Sequence, residues 1–109
     1  MEHQVERAAL SFVRTIKETD IYKQYEYQLG RLKEHPEKLK QVNEFRRKNF
    51  EIQKTSQVDE LFDKMNAFEN EYEKFREDPL VDDFLRAELA FCRMMQEIDI
   101  FIVEEIDFE

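Results

Sequence analysis

Asp78-Pro79-Leu80-Val81-Asp82-Asp83-Phe84-Leu85 is the stretch that decides the fold. Asp78 is an N-cap acceptor, and Pro79 follows it with a fixed φ and no N–H, which suits the first helical position. Asp82 and Asp83 then lie in the first turn, where the helix dipole favours negative charge. Beyond them runs a broad apolar face of Phe84, Leu85, Leu89, Phe91, Cys92, Met95, Ile98 and Ile102. The pattern predicts a long last helix over roughly 79–105. The whole chain has one other proline, Pro36, and one glycine, Gly30, so few points interrupt helical structure.

Working back from Asp78, the apolar positions are unusually regular. Val58, Leu61, Met65, Phe68, Tyr72 and Phe75 alternate in steps of three and four, an a/d seam over roughly 57–77. Such a seam needs a partner, and the last helix is expected to supply it by folding back antiparallel. Ser56 with Asp59 forms a weak capping box that would separate this helix from the one before. A continuous long helix fits the sequence equally well there. The preceding helix begins at the His35-Pro36-Glu37 break and spans roughly 36–54. Its seam is Leu39, Val42, Phe45 or Arg46, Asn49 and Ile52.

Two further helices precede it. Val5, Ala9, Phe12 and Ile16 mark a helix over roughly 3–18. Thr19 or Asp20 can cap the next, roughly 20–34, whose apolar face is Ile21, Tyr25, Leu29 and Leu32. Gly30 interrupts that face, either as a tolerated defect or to let two helices approach closely. The tail Ile98-Asp99-Ile100-Phe101-Ile102-Val103 is β-branched enough to read as a strand. Helix is the better reading, since Ile98 and Ile102 stay in register with Phe91 and Met95 and a lone strand has no sheet to join. The expected fold is therefore all-α: one domain, 1–109, an antiparallel helical bundle of four to five helices, some long and coiled-coil-like.

Composition limits what such a bundle does. Ten Phe and four Tyr in 109 residues make the chain too aromatic to be disordered. The formal charge of −9 disfavours DNA and anionic membranes as partners. No run reaches transmembrane length, and Met1-Glu2-His3-Gln4 does not resemble a secretory leader. The single Cys92 forms no internal disulfide and fits a cytoplasmic location. Charge is unevenly spread. Residues 1–55 carry a net +3 and residues 56–109 a net −12. The two halves can pair with each other, within a chain or between chains, or the acidic half can recruit a basic partner.

Chemical motifs are absent. His3 and His35 have no ligand partners at helical spacing, and the Glu-x-x-His pairs of a di-iron bundle are missing. Cys92 is expected to be a buried structural thiol, with a metal or cluster ligand as the minority alternative. The carboxylate pairs Asp59/Asp63, Glu69/Glu73 and Asp78/Asp82 are expected on wet helix faces. No enzyme activity is expected. Basic residues from Arg31 to Lys48, among them Arg46, Arg47 and Lys48, lie near Tyr22, Tyr25 and Tyr27 and could in principle bind RNA. Glu37, Glu44 and Glu51 stand at i,i+3 and i,i+4 spacing to those cations, so a solvated, self-paired face or a protein-partner surface is preferred to RNA. The apolar surplus of the 58–75 seam and of the tail predicts a homodimer, with Ile98, Phe101 and Ile102 near the contact.

Motif order along the chain resembles the bacterial YlbF/YmcA family of small helical regulators. The resemblance rests on Ile16-Lys17-Glu18-Thr19, on Tyr22 and Tyr25, on His35-Pro36-Glu37 with Phe45, and on Asp78 to Leu85 with Ala87-Glu88 and Phe91. It implies a self-associating, non-enzymatic protein linked to competence, sporulation and biofilm formation. It further implies work alongside sibling members or an accessory complex of ribonuclease Y that affects mRNA processing. Some members share iron–sulfur clusters through cysteines. This chain departs from that pattern, because Ile106-Asp107-Phe108-Glu109 contains no cysteine, and no cofactor is expected. His35 stands where the family usually has an aspartate.

Overall fold

The computed structural model describes residues 1–55 and 58–107. Six helices and no strand occur among them: α1 (His3–Lys17), α2 (Asp20–Lys33), α3 (Pro36–Thr55), α4 (Val58–Glu71), α5 (Glu73–Glu77) and α6 (Pro79–Ile106). The all-α expectation holds. The helix expected over 57–77 is two helices, separated at Tyr72, whose φ of −103° and ψ of 13° leave the helical region. The Ser56 capping box, and the choice between a break and a continuous helix there, lie outside the described residues, as does Phe108.

Each boundary has a local cause. Thr19 ends α1 and starts α2. Its hydroxyl donates to the Ile16 carbonyl at 2.6 Å and accepts from the Tyr22 N–H at 3.1 Å. Asp78 caps α6 as its sequence suggests, accepting from the Leu80 N–H at 3.0 Å with Pro79 in the first turn. The far end of α6 closes on Asp107 in the left-handed region (φ 58°, ψ 46°), a conformation aspartate tolerates better than most side chains. The tail is therefore helix through Ile106.

The core sits where α2, the start of α3 and the start of α6 converge. Leu32, Val42, Leu80, Val81 and Phe84 form it, with Tyr25, Leu29, Leu39, Phe75 and Leu85 packed around. Ring contacts and ion pairs give the directions. Tyr22 meets Phe91, while Arg31 meets Asp83, so α2 and α6 run antiparallel. Lys38 pairs with Asp78 and Arg46 with Glu88, so α3 and α6 run parallel. Gly30 has open space where a Cβ would stand, so it permits no close helix approach.

The partner of the 58–75 seam differs from the expectation. Phe45 of α3 covers its Phe68, Tyr72 and Phe75 part, with ring centroids 4.9 Å from Phe68, 5.1 Å from Tyr72 and 5.6 Å from Phe75. Helix α6 does not fold against α4. A cleft of about 310 Å³ lies between them, lined by Met65 and Phe68 on one side and Leu85, Leu89 and Cys92 on the other. The α4–α5 break explains this: the chain turns at Tyr72 and again at Asp78, so α5, and not α4, packs against the start of α6.

The molecule is extended. Its radius of gyration is 17.4 Å, against the ~13 Å of a compact chain of about this length. Two elements account for the excess. Helix α1 contains no buried residue, and α6 contains none beyond Ala87.

Candidate protein-interaction surface

The basic segment was the first candidate, and five of its cations, Arg31, Lys38, Arg46, Arg47 and Lys48, are engaged. Arg46 forms an ion pair with Glu88 on α6, donates to Asn43 Oδ1 at 3.1 Å, and stacks its guanidinium 5.6 Å from the Phe84 ring centroid. Arg47 donates to Glu51 one turn on, at 3.1 Å. Lys48 reaches across to Glu71 on α4 at 3.2 Å, with its ammonium 5.4 Å from the Tyr72 ring. The hydrogen bond with Tyr72, and next the one with Glu71, hold that ammonium protonated above the ordinary lysine range. Arg31 contacts Gln28 and Asp83, and Lys38 contacts Asp78 at 2.6 Å. All but Arg47, whose bond stays within α3, tie α2 and α3 to α4 and α6. To grip a phosphate, each would first have to release a carboxylate or amide.

Reactive chemistry finds no assembled site among the described residues. No group of three His, Cys, Asp or Glu side chains is placed to hold a metal. Cys92 is exposed, which corrects the expectation of a buried thiol. It lies on the flank of α6 beside the α4 cleft, because the turn at Tyr72 leaves that flank uncovered. The carboxylate pair Asp78/Asp82 is divided between two cations. Asp78 pairs with Lys38, and Asp82 accepts from Arg86 at 2.7 Å. Lys38, and secondly the Leu80 N–H, hold the Asp78 carboxyl below the usual carboxylate range.

Unpartnered apolar surface is what remains, and it lies in two places. Along α6, the buried face of Leu80, Phe84 and Ala87 continues as Phe91, Met95, Ile98, Ile102 and Ile106. Tyr22 and Tyr25 cover it only as far as Phe91, with Tyr25 stacked on Phe91 at 5.1 Å. Past that point α2 has ended. Ile98 is half-buried, while Phe101 is 61% exposed and Ile102 43%. The three residues expected at a self-contact thus lie together on the uncovered half of α6. The second place is α1, whose Val5, Phe12 and Val13 are all about half exposed. Periodicity found this face but implied burial within the chain. Its exposure was not legible, because it follows from the direction in which Thr19 sends α1.

Several hundred Å² of apolar surface are open on these two faces together, since a large apolar side chain offers on the order of 150–250 Å² in all. That exceeds what single scattered side chains contribute and matches the scale on which one partner enters a stable interface, about 800 Å². No helix among the described residues is long and apolar enough to cross a membrane.

A family model described as "Control of competence regulator ComK, YlbF/YmcA" matches residues 5–107, nearly the whole chain and both exposed faces. No curated protein and no solved structure matches.

Proposed function

We propose, from the premise that this chain belongs to the YlbF/YmcA family, that it is a regulatory adaptor that works by protein–protein contact and performs no chemistry of its own. The family is described by control of the competence regulator ComK, so a regulatory role is the common ground. The finer reading is that this protein self-associates as a homodimer and joins sibling members, or the accessory complex of ribonuclease Y, to influence mRNA processing in the cytoplasm. It needs no cofactor in this reading, and neither DNA nor a membrane is its target.

One observation carries the proposal: the largest unsatisfied feature of the fold is apolar helix surface, while Arg31, Lys38, Arg46, Arg47 and Lys48 of the basic segment are spent on internal ion pairs. A catalyst or an RNA-binding module would show the reverse. RNA recognition needs free cations and stacking rings. Tyr22 and Tyr25 instead pack on Phe91 and Phe84.

Two measurements test this. Light scattering on a size-exclusion column should give a dimer for the wild type at micromolar concentration and a monomer for Phe101→Asp. Co-expression with a sibling family member should recover a stoichiometric complex that is weakened by the same substitution. A monomeric wild type unchanged by Phe101→Asp would refute self-association. Tight, salt-sensitive RNA binding by the purified chain alone would replace the adaptor reading with direct RNA recognition.

A further inference from the structure

We infer that the occupant of the uncovered half of α6 is α1 of a second copy of this chain, exchanged reciprocally across a two-fold axis. The inference rests on the homodimer proposed above and specifies its contact. Phe12 and its neighbours on α1 are placed against Ile98 and Ile102 of the partner.

Four observations lead there. First, the two faces are alike in form. Helix α1 presents Val5, Ala9, Phe12, Val13 and Ile16 along 15 residues, and α6 beyond Cys92 presents Met95, Ile98, Ile102 and Ile106 along a comparable length. At ~1.5 Å per residue each is a stripe of roughly 20 Å.

Second, the two stripes do not meet within one chain. Thr19 lies in extended backbone (φ −70°, ψ 150°), and its hydroxyl bonds to Ile16 on one side and Tyr22 on the other. These bonds fix the turn between α1 and α2, and α1 packs against α2 rather than α6.

Third, charge selects cross-pairing over like-with-like pairing. Helix α1 carries Arg7, Arg14 and Lys17 against Glu6, whereas α6 past Cys92 carries Glu97, Asp99, Glu104 and Glu105 against Arg93. Pairing α1 with α1, or α6 with α6, brings like charge together. Pairing α1 with the partner's α6 brings opposite charge together.

Fourth, a two-fold exchange covers both stripes on both chains at once and closes the assembly. A partner that covers only one stripe leaves the other in water.

Mixing two single variants tests the pairing directly. Phe12→Asp spoils α1, and Ile102→Asp spoils the α6 stripe. Each homodimer then has both of its contacts spoiled and should dissociate roughly a hundredfold more readily than wild type, about tenfold for each contact that loses an anchor. In the mixed dimer both lesions fall on the same contact, and the other contact is intact. A contact already undocked is not lost twice, so the mixed dimer should exceed either homodimer by about tenfold. Native mass spectrometry of differently tagged full-length chains reads the three species, and circular dichroism checks that each variant keeps its helices.

A wild-type dimer whose two variants show no preference for the mixed species would overturn the pairing and leave self-association standing. So would a Phe12→Asp variant that dimerises like wild type. A monomeric wild type would overturn both. Preference for the mixed dimer that strengthens as salt is lowered is the result the geometry predicts.

Discussion

Replacing Asp78 separates the forces that start α6. Its Oδ1 accepts from the Leu80 N–H at 3.0 Å, and its Oδ2 meets the Lys38 ammonium at 2.6 Å. Asp78→Ala removes both. Loss of an N-cap acceptor costs ~1 kcal/mol. Loss of a partly exposed ion pair adds ~0.5–1 kcal/mol, so the expected total is about 1.5–2 kcal/mol. Asp78→Asn keeps an acceptor for Leu80 and gives up the charge, so it should cost about half as much, ~1 kcal/mol. Lys38→Met removes the same pair from the other side and leaves the cap.

Urea titration followed by circular dichroism, at one fixed protein concentration, measures all three variants. The pH dependence has a definite sign. Lys38 and the Leu80 N–H lower the folded-state pKa of Asp78, so the ionised carboxylate stabilises the fold above its unfolded value of about 3.9. That contribution is lost as pH falls through the lower, folded value. The deficit of Asp78→Asn should therefore be full at pH 7 and shrink below about pH 4. An Asp78→Ala variant as stable as wild type would refute the capping argument. A deficit in Asp78→Asn that is independent of pH would refute the ion-pair argument.

Other perturbations have equally definite outcomes. Phe84 is fully buried, with the Tyr25 ring and the Arg46 guanidinium both packed against it. Phe84→Ala should cost ~3–4 kcal/mol in the same titration, a large part of the stability of a domain with so small a core. Gly30→Ala places a Cβ in open space at an ordinary helical position, and it should raise stability by ~0.5–1 kcal/mol. A loss instead would mean that the site is tighter than its geometry. Arg46→Met should lower stability through the lost contacts to Glu88 and Asn43 and should not change affinity for single-stranded RNA, measured by fluorescence anisotropy.

Local chemistry made most helix boundaries legible. Thr19, Pro36 and Asp78 each act within a few residues of themselves, and each helix begins where its cap or proline places it. The seam of α3 was also legible. Val42 is buried, and Leu39, Phe45, Asn49 and Ile52 are half-buried, because a 3.6-residue period needs no knowledge of the partner.

What covers each seam was not legible. The regular spacing through Phe68, Tyr72 and Phe75 suggested one straight helix against α6. Two closely spaced departures from helical backbone, at Tyr72 and Asp78, turned the chain so that Phe45 covers the seam instead. Cys92 looked buried because it sits among apolar neighbours in sequence, yet it lies on the flank that this turn uncovers. Periodicity marked the α1 stripe without showing its exposure, whereas the α6 stripe around Ile98, Phe101 and Ile102 was expected at a contact between two chains. An apolar period shows that a face must be covered, and it does not show by which chain.

The most direct test of the account is regulation in cells that rely on this protein. Replacing the chromosomal copy with Phe12→Asp/Ile102→Asp, and measuring ComK-dependent competence beside a deletion strain, asks whether the apolar faces are the working surface. The account predicts a double variant that is folded and present at normal level, and that behaves as the deletion does. It also predicts that Lys33→Gln/Lys40→Gln, on the basic segment, regulates as wild type does. Normal regulation by the double variant, with failure of the basic-segment variant, would contradict it.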